Sequence, residues 1–218
     1  MKTMKTLLAA AATAAAALTI AFTPTSAVAG PEHDHSHGHA KIAKVGEHAP
    51  NFTLTDLDGK EHTLSDYTAQ GKTVVLEWFN PDCPFVVKHH KNNKSMYETY
   101  QNAKEHDVVW LAINSGKPGK QGTGKEYNMS KVAEYGIEYP LLLDETSKVG
   151  KMYDAKTTPH MYIINGEGVL VYAGAIDNNS SARTLGDVNY VSQALAQMSE
   201  GKTISDSETK PYGCSVKY

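Results

Sequence analysis

Val74-Val75-Leu76-Glu77-Trp78-Phe79-Asn80-Pro81-Asp82-Cys83-Pro84-Phe85-Val86-Val87-Lys88-His89-His90 is the stretch that decides the fold. Its first six residues form a short run rich in β-branched and aromatic side chains, the pattern of a buried strand. Asn80-Pro81-Asp82 stops that strand with turn residues. Pro84 suits the first position of a helix, and the apolar spacing predicts one from about Phe85 to Lys104, with Val86, His89, His90, Met96, Tyr97 and Tyr100 on a partly apolar face. Cys83 therefore stands where a strand gives way to a helix. Unpaired N–H groups and a partial positive charge at a helix start favour a thiolate over a thiol. Lys88, His89 and His90 are expected to strengthen that field. The competing reading of Cys83 is a small apolar residue packed in the core.

Working outward, Asn51–Gly59 alternates apolar and polar residues, turns at Asp58-Gly59 and resumes through His62–Leu64, which predicts a hairpin. Val108–Ile113 is the next strand, and a helical crossover makes it parallel to the first. A Gly/Lys-rich loop follows from Ser115 to Lys125. A helix near Tyr127–Tyr135, a strand Pro140–Leu143 and a helix near Ser147–Tyr153 come next. Met161–Asn165 and Val169–Ala173 flank the turn Gly166-Glu167-Gly168 as a second hairpin. Val188–Met198 closes the domain as a helix, and a polar arm runs on to Tyr218. The expected class is α/β, one mixed central sheet flanked by helices, with an N-terminal hairpin.

The chain has 218 residues, 40% hydrophobic and 21% charged, enough for one ordinary domain with a tail. A formal charge of −3 supplies no basic field for nucleic acid. Of the 21 basic Lys and Arg residues, Arg183 is the one arginine. At the N-terminus Lys2 and Lys5 precede the apolar run Leu7–Phe22, and Ala27-Val28-Ala29 offers a small-residue cleavage site. Residues 1–29 read as a secretory signal, because the run is short for a bilayer core of ~30 Å and a processing site follows at once. The mature protein is expected to be periplasmic or secreted, free of the membrane after cleavage, in a compartment where thiols oxidise. Residues 30–44 form a flexible leader with His33, His35, His37 and His39 at every second position, a pattern that suits copper or zinc. A solvated polar leader is the alternative. Residues 45–200 make the domain, and 201–218 the arm that carries Cys214.

The segment Trp78–His90 resembles the active-site stretch of the thioredoxin-like redoxins of the AhpC/TSA superfamily, in particular a secreted peroxiredoxin-like group with Cys-Pro-Phe-Val. Four more segments fit that group in order: Ala49-Pro50-Asn51-Phe52 with Asp58-Gly59, the loop Gly116–Gly122, Lys156–Tyr162, and Pro211-Tyr212-Gly213-Cys214-Ser215-Val216-Lys217-Tyr218. The resemblance implies a thioredoxin-like fold and no bound cofactor. It also implies that Thr158-Pro159 is the cis-proline corner facing the reactive thiol, with the Thr158 backbone free to pair with an extended peptide. His160 beside it is as well explained by packing as by catalysis.

Two departures narrow the chemistry. Val86 stands where dithiol relatives carry their second cysteine, so Cys83 has no local partner. Asn80 stands where true peroxiredoxins carry Thr or Ser, and no arginine lies between Cys83 and Arg183 to bind a peroxide in their bidentate manner. Cys214 is the remaining partner; an arm of about thirteen residues from Gly201 reaches at most about 45 Å, to Cys83 of its own chain or a neighbour. The expectation is an extracytoplasmic thiol oxidoreductase, with Cys83 as nucleophile and Cys214 as resolving thiol. Its partners would be a peroxide or protein disulfide and an external thiol reductant. The alternatives are a copper- or zinc-handling protein that passes metal from the leader to Cys83 with His89, His90 or His160, and a redox-inert peptide-binding domain with a permanent Cys83–Cys214 disulfide.

Overall fold

The computed structural model of this chain describes residues 42–218; the expected signal segment, residues 1–29, and His33, His35, His37 and His39 lie outside the described residues. The chain opens on the expected hairpin, β1 (Thr53–Asp56) against β2 (Glu61–Thr63), with Leu54 opposite His62. Its turn is made by Asp56, whose Oδ1 accepts the amides of Asp58 and Lys60 at 2.9 Å each. Gly59 takes φ +88° there, a conformation glycine adopts without steric cost. Leu64 does not extend β2 but starts the short helix α1 (Leu64–Thr68).

The central strand is β3 (Val74–Trp78), with every residue buried. It runs parallel to β4 (Val109–Asn114) on one side and antiparallel to β7 (Met161–Ile164) on the other. β5 (Leu141–Leu143) and β8 (Leu170–Gly174) complete a mixed sheet in the order β2-β1-β5-β4-β3-β7-β8. Covered on both faces, β3 reads as a continuous apolar run, and its alternate side chains feed two cores. Val74, Leu76 and Trp78 point to one core, which α1 and α5 (Lys148–Met152) help to close. Val75 and, past the strand end, Phe79 point to the other, under α3 (Ser95–Lys104), α4 (Lys125–Tyr135) and α6 (Tyr190–Ser199). Each large apolar side chain buried this way contributes roughly 1.5–3 kcal/mol. This is the thioredoxin-like α/β arrangement that the resemblance implies. Among the described residues no helix is long and apolar enough to cross a membrane.

Two expectations are corrected. The single helix from Phe85 to Lys104 is three pieces: α2 (Pro84–Val87), a π-helical turn over Lys88–Asn92, and α3. Asn93 closes the π turn, its backbone and side-chain nitrogens both donating to the Lys88 carbonyl at 3.1 and 3.0 Å, and Lys94 at φ +52° redirects the chain. Asn92 and Asn93 are weak helix formers, which makes this the place for the break. As a result Tyr97 faces solvent instead of joining the apolar face. The polar arm, second, is not without regular structure. It is bonded to the domain from Ser207 to Tyr218 and contributes a strand of its own.

Candidate active site

Past Trp78 the chain stays tied to the sheet for one residue, through Phe79 N–H to the Ile113 carbonyl at 2.8 Å. Asn80 then builds the turn: its Oδ1 accepts the Asp82 amide, its carbonyl accepts the Cys83 amide, and its Nδ2 donates to the Gln121 carbonyl. Cys83 is the N-cap residue, extended at φ −78° and ψ 122°, with Pro84 at the first helical position. Its carbonyl already accepts the first helical bond, from the Val87 amide at 2.9 Å. The Cys83 thiol donates to the Thr158 carbonyl at 2.8 Å.

Thr158 and Pro159 are joined by a cis peptide bond. β6 (Thr157–Thr158) pairs antiparallel with β9 (Cys214–Ser215), which puts Cys214 opposite Thr158 and Ser215 opposite Thr157. Cys214 thereby reaches Cys83 of its own chain. Neither cysteine is in a disulfide, and Cys83 is near enough to influence the Cys214 thiol. Burial first, and the neighbouring Cys83 sulfur second, push the Cys214 thiol up to about 11. Cys83 is 1% exposed. The expectation of a Thr158 backbone free to pair with a peptide is therefore corrected: the chain's own tail is paired there, beside the buried Cys83.

The arm is stitched in place along its length. Ser207 and Thr209 pair with Ala173, and the Thr209 hydroxyl accepts the Ala175 amide at 2.9 Å. Val216 N–H donates to the Lys156 carbonyl, Lys217 accepts from the Lys117 amide at 2.9 Å, and the Tyr218 hydroxyl donates to the Ala155 carbonyl at 2.6 Å. Between these anchors Tyr212 inserts its ring 5.7 Å from that of Phe85. Its hydroxyl donates to Asp177 and accepts from Lys88 Nζ at 3.2 Å and His89 Nε2 at 3.0 Å.

Lys88 is wholly buried, and its ammonium meets Asp177 at 3.2 Å and the Asn179 carbonyl at 2.7 Å. Burial lowers the Lys88 pKa, and the Asp177 charge opposes that shift. Burial pushes the Asp177 carboxyl up, but bonds from Tyr212, Gly186 and Asn179 more than reverse it. His89 takes the Ser95 hydroxyl on Nδ1 at 2.7 Å. The network assigns it the neutral tautomer with the proton on Nε2; burial first, and the Lys88 charge second, hold its pKa far below the usual imidazole range. His90 points elsewhere, to Glu77 at 2.6 Å, and the other Glu77 oxygen accepts from the Tyr139 hydroxyl at 2.8 Å. Lys88, His89 and His90 thus spend their polar atoms on Asp177, Asn179, Ser95, Tyr212 and Glu77, which corrects the picture of a cationic field aimed at Cys83.

His160 is a packing residue in this arrangement. Its Nδ1 is hydrogen-bonded with the Tyr162 hydroxyl at 2.9 Å, and burial drops its pKa to about 3. Among the described residues no three His, Cys, Asp or Glu side chains converge to hold a metal. The cysteines, Thr158 and Pro159 are brought together; the metal set of Cys83 with His89, His90 and His160 is not. Sequence reasoning missed Asp177, Tyr212 and the close approach of Gly213. The one signal for Tyr212 and Gly213 was their place in the C-terminal segment Pro211–Tyr218, and Asp177 had none.

The chain is similar to the thiol-disulfide oxidoreductase ResA of Geobacillus kaustophilus, 32% identical over 144 residues that cover 65% of this chain and 76% of that protein. It is also 32% identical to ResA of Bacillus subtilis over 126 residues, 58% of this chain and 64% of that protein, so less than two thirds of the latter is spanned. Among solved structures, an uncharacterized conserved protein from Geobacillus kaustophilus superposes with a TM-score of 0.71 at 28% identity, covering 81% of this chain and 93% of that one. A putative thiol:disulfide interchange protein DsbE from Chlorobium tepidum shares the fold, with a TM-score of 0.53 at 20% identity over 73% of this chain and 97% of that one. With the strand-end cysteine, the Thr158-Pro159 corner and the sheet order in place, residues 45–173 match the AhpC/TSA family, and the chain belongs to it.

Proposed function

We propose that this chain is an extracytoplasmic thiol-disulfide oxidoreductase in which Cys83 is the nucleophile and Cys214 the resolving thiol. The observation that carries the reading is the meeting of both sulfurs at Thr158: its carbonyl accepts the Cys83 thiol, and its backbone is paired with Cys214. The names of the ResA relatives support the reaction class, and the reading of residues 1–29 as a secretory signal supports the location.

The cycle starts when the Cys83 thiolate attacks one sulfur of a substrate disulfide. That S–S bond breaks, one substrate thiolate leaves, and the other half stays joined to Cys83. Cys214 loses its proton to solvent and attacks the Cys83 sulfur. The mixed disulfide breaks, the second substrate thiolate leaves, and a Cys83–Cys214 disulfide remains. Two electrons have passed to the substrate, and an external dithiol returns them. Cys214 is timed by its neighbour: part of what holds its proton is the Cys83 charge, and that charge vanishes once Cys83 is in a mixed disulfide.

A hydroperoxide fits less well. The side chain of Asn80 is committed to Asp82 and Gln121, and the Lys88 ammonium to Asp177, so neither is free to polarise it. The test is a side-by-side assay of the reduced mature protein, insulin-type disulfide reduction against rapid-quench hydroperoxide consumption. Disulfide reduction lost in Cys83→Ser supports the proposal. Peroxide consumption alone replaces the substrate, and neither activity removes the enzyme reading.

A further inference from the structure

The arm meets the domain at many points, but one of them joins it directly to the segment that carries Cys83. Tyr212 lies two residues before Cys214. Its ring packs on Phe85, two residues after Cys83, with the Lys88 ammonium 5.0 Å from the ring centre. Its hydroxyl is saturated, donating once and accepting twice, and its three partners are Asp177, Lys88 and His89. Lys88 and His89 belong to the π turn that follows α2, so the same short segment holds Cys83 at one end and Tyr212 at the other. Asp177 closes the assembly from the loop after β8 and is itself fixed by the amides of Asn179 and Gly186 at 3.1 and 2.8 Å. A buried ion pair is an expensive way to gain stability, and its better-attested use is to specify one arrangement.

An incoming disulfide needs an approach to Cys83 that the docked arm denies, so the arm has to lift before any reaction with another molecule. It must then return for Cys214 to resolve Cys83. We propose that Tyr212, held by Lys88, His89 and Asp177, is a positioning residue that keeps Cys214 against Cys83 and sets how often the arm opens to admit a substrate. This rests on the reading of Cys83 and Cys214 as a working pair. The hydroxyl acts through placement of the arm and touches neither sulfur.

The experiment compares Tyr212→Phe with the parent in two readouts. In a Cys214→Ser background, alkylation of Cys83 by N-ethylmaleimide reports arm opening without any turnover. In the two-cysteine protein, equilibration with glutathione redox buffers reports the effective concentration of Cys214 at Cys83. Loss of hydrogen bonds to charged partners predicts a rise of about tenfold or more in alkylation and a comparable fall in effective concentration. The alkylation rate should be insensitive to sub-denaturing urea, as a local opening requires. Unchanged values in both readouts overturn the proposal, and so does an alkylation rise that tracks global unfolding. Hydrogen exchange of the wild-type chain gives a reading independent of any variant: the Val216 amide should exchange by local opening and slow when the cysteines are joined. Exchange of that amide through global unfolding alone also overturns it. Because alkylation needs no substrate, failure of disulfide reduction in the parent would remove the enzymatic reading and leave this test standing.

Discussion

Gly213 and Thr158 approach so closely that a Cβ on Gly213 would stand 2.1 Å from the Thr158 carbonyl oxygen. That oxygen is also the acceptor for the Cys83 thiol at 2.8 Å. Gly213 adopts φ +141°, outside the range that other residues tolerate well, so both space and backbone call for glycine. One atom therefore holds the Cys83 thiol and limits how the arm can lie.

Gly213→Ala is expected to push the arm off its edge. Overpacking against backbone costs about 1–3 kcal/mol, and the arm is cheaper to displace than the sheet. Cys83 should become more reactive to maleimide and Cys83–Cys214 disulfide formation should slow, with the unfolding midpoint in urea moved little. Stopped-flow alkylation and quenched mass spectrometry measure both.

The two cysteines should part company in trapping experiments. Cys214→Ser is expected to accumulate a mixed disulfide with a substrate such as oxidised glutathione, because nothing resolves it. Cys83→Ser should form none. Non-reducing mass spectrometry of the quenched reactions decides: trapping in Cys83→Ser alone would reverse the assigned roles, and equal trapping by both variants would abolish them.

Glu77 is fully buried in β3, with His90 and Tyr139 bonded to its two oxygens. Glu77→Ala strands both partners away from water, and loss of one partner in such a buried cluster costs on the order of 3–5 kcal/mol. Urea denaturation followed by far-UV signal should show that loss. A change below 1 kcal/mol would mean that water replaces the carboxylate.

Acid should unfold the protein partly through His160. Burial holds its pKa near 3 in the folded chain, against about 6.5 when unfolded. The unfolded state then binds the extra proton. The contribution to stability is whole above pH 6.5 and declines as pH falls from there to about 3, by up to ~1.4 kcal/mol per pH unit. His160→Asn should flatten the stability profile over that window, measured by urea titration at stepped pH. A profile unchanged by the substitution would place the acid sensitivity elsewhere, with His89 the next group to examine, since it too is held neutral by burial.

Much of the frame was legible because it is written in short-range patterns. The apolar run Val74–Phe79, its Asn-Pro-Asp stop and the following Pro84 mark a strand end, a turn and a helix start within a dozen residues. The two hairpins are marked by their glycines. The resemblance added the Thr158-Pro159 corner, whose cis bond no local pattern distinguishes from an ordinary turn. The break at Asn93-Lys94 went unread because an inserted π turn shifts the apolar face without a local marker stronger than two asparagines.

The sequence by itself determined where the strands lie, where the nucleophile candidate sits and that its partner is far along the chain, since periodicity and turn chemistry act over a few residues. Tertiary structure alone decided that Cys83 is covered, that Cys214 lies on Thr158, and that Lys88, Asp177 and Tyr212 meet. Those contacts join residues 75, 89 and 124 positions apart. The arm that brings Tyr212 and Cys214 has no hydrophobic period of its own; it gains its order from backbone bonds to edges that exist only once the sheet has formed.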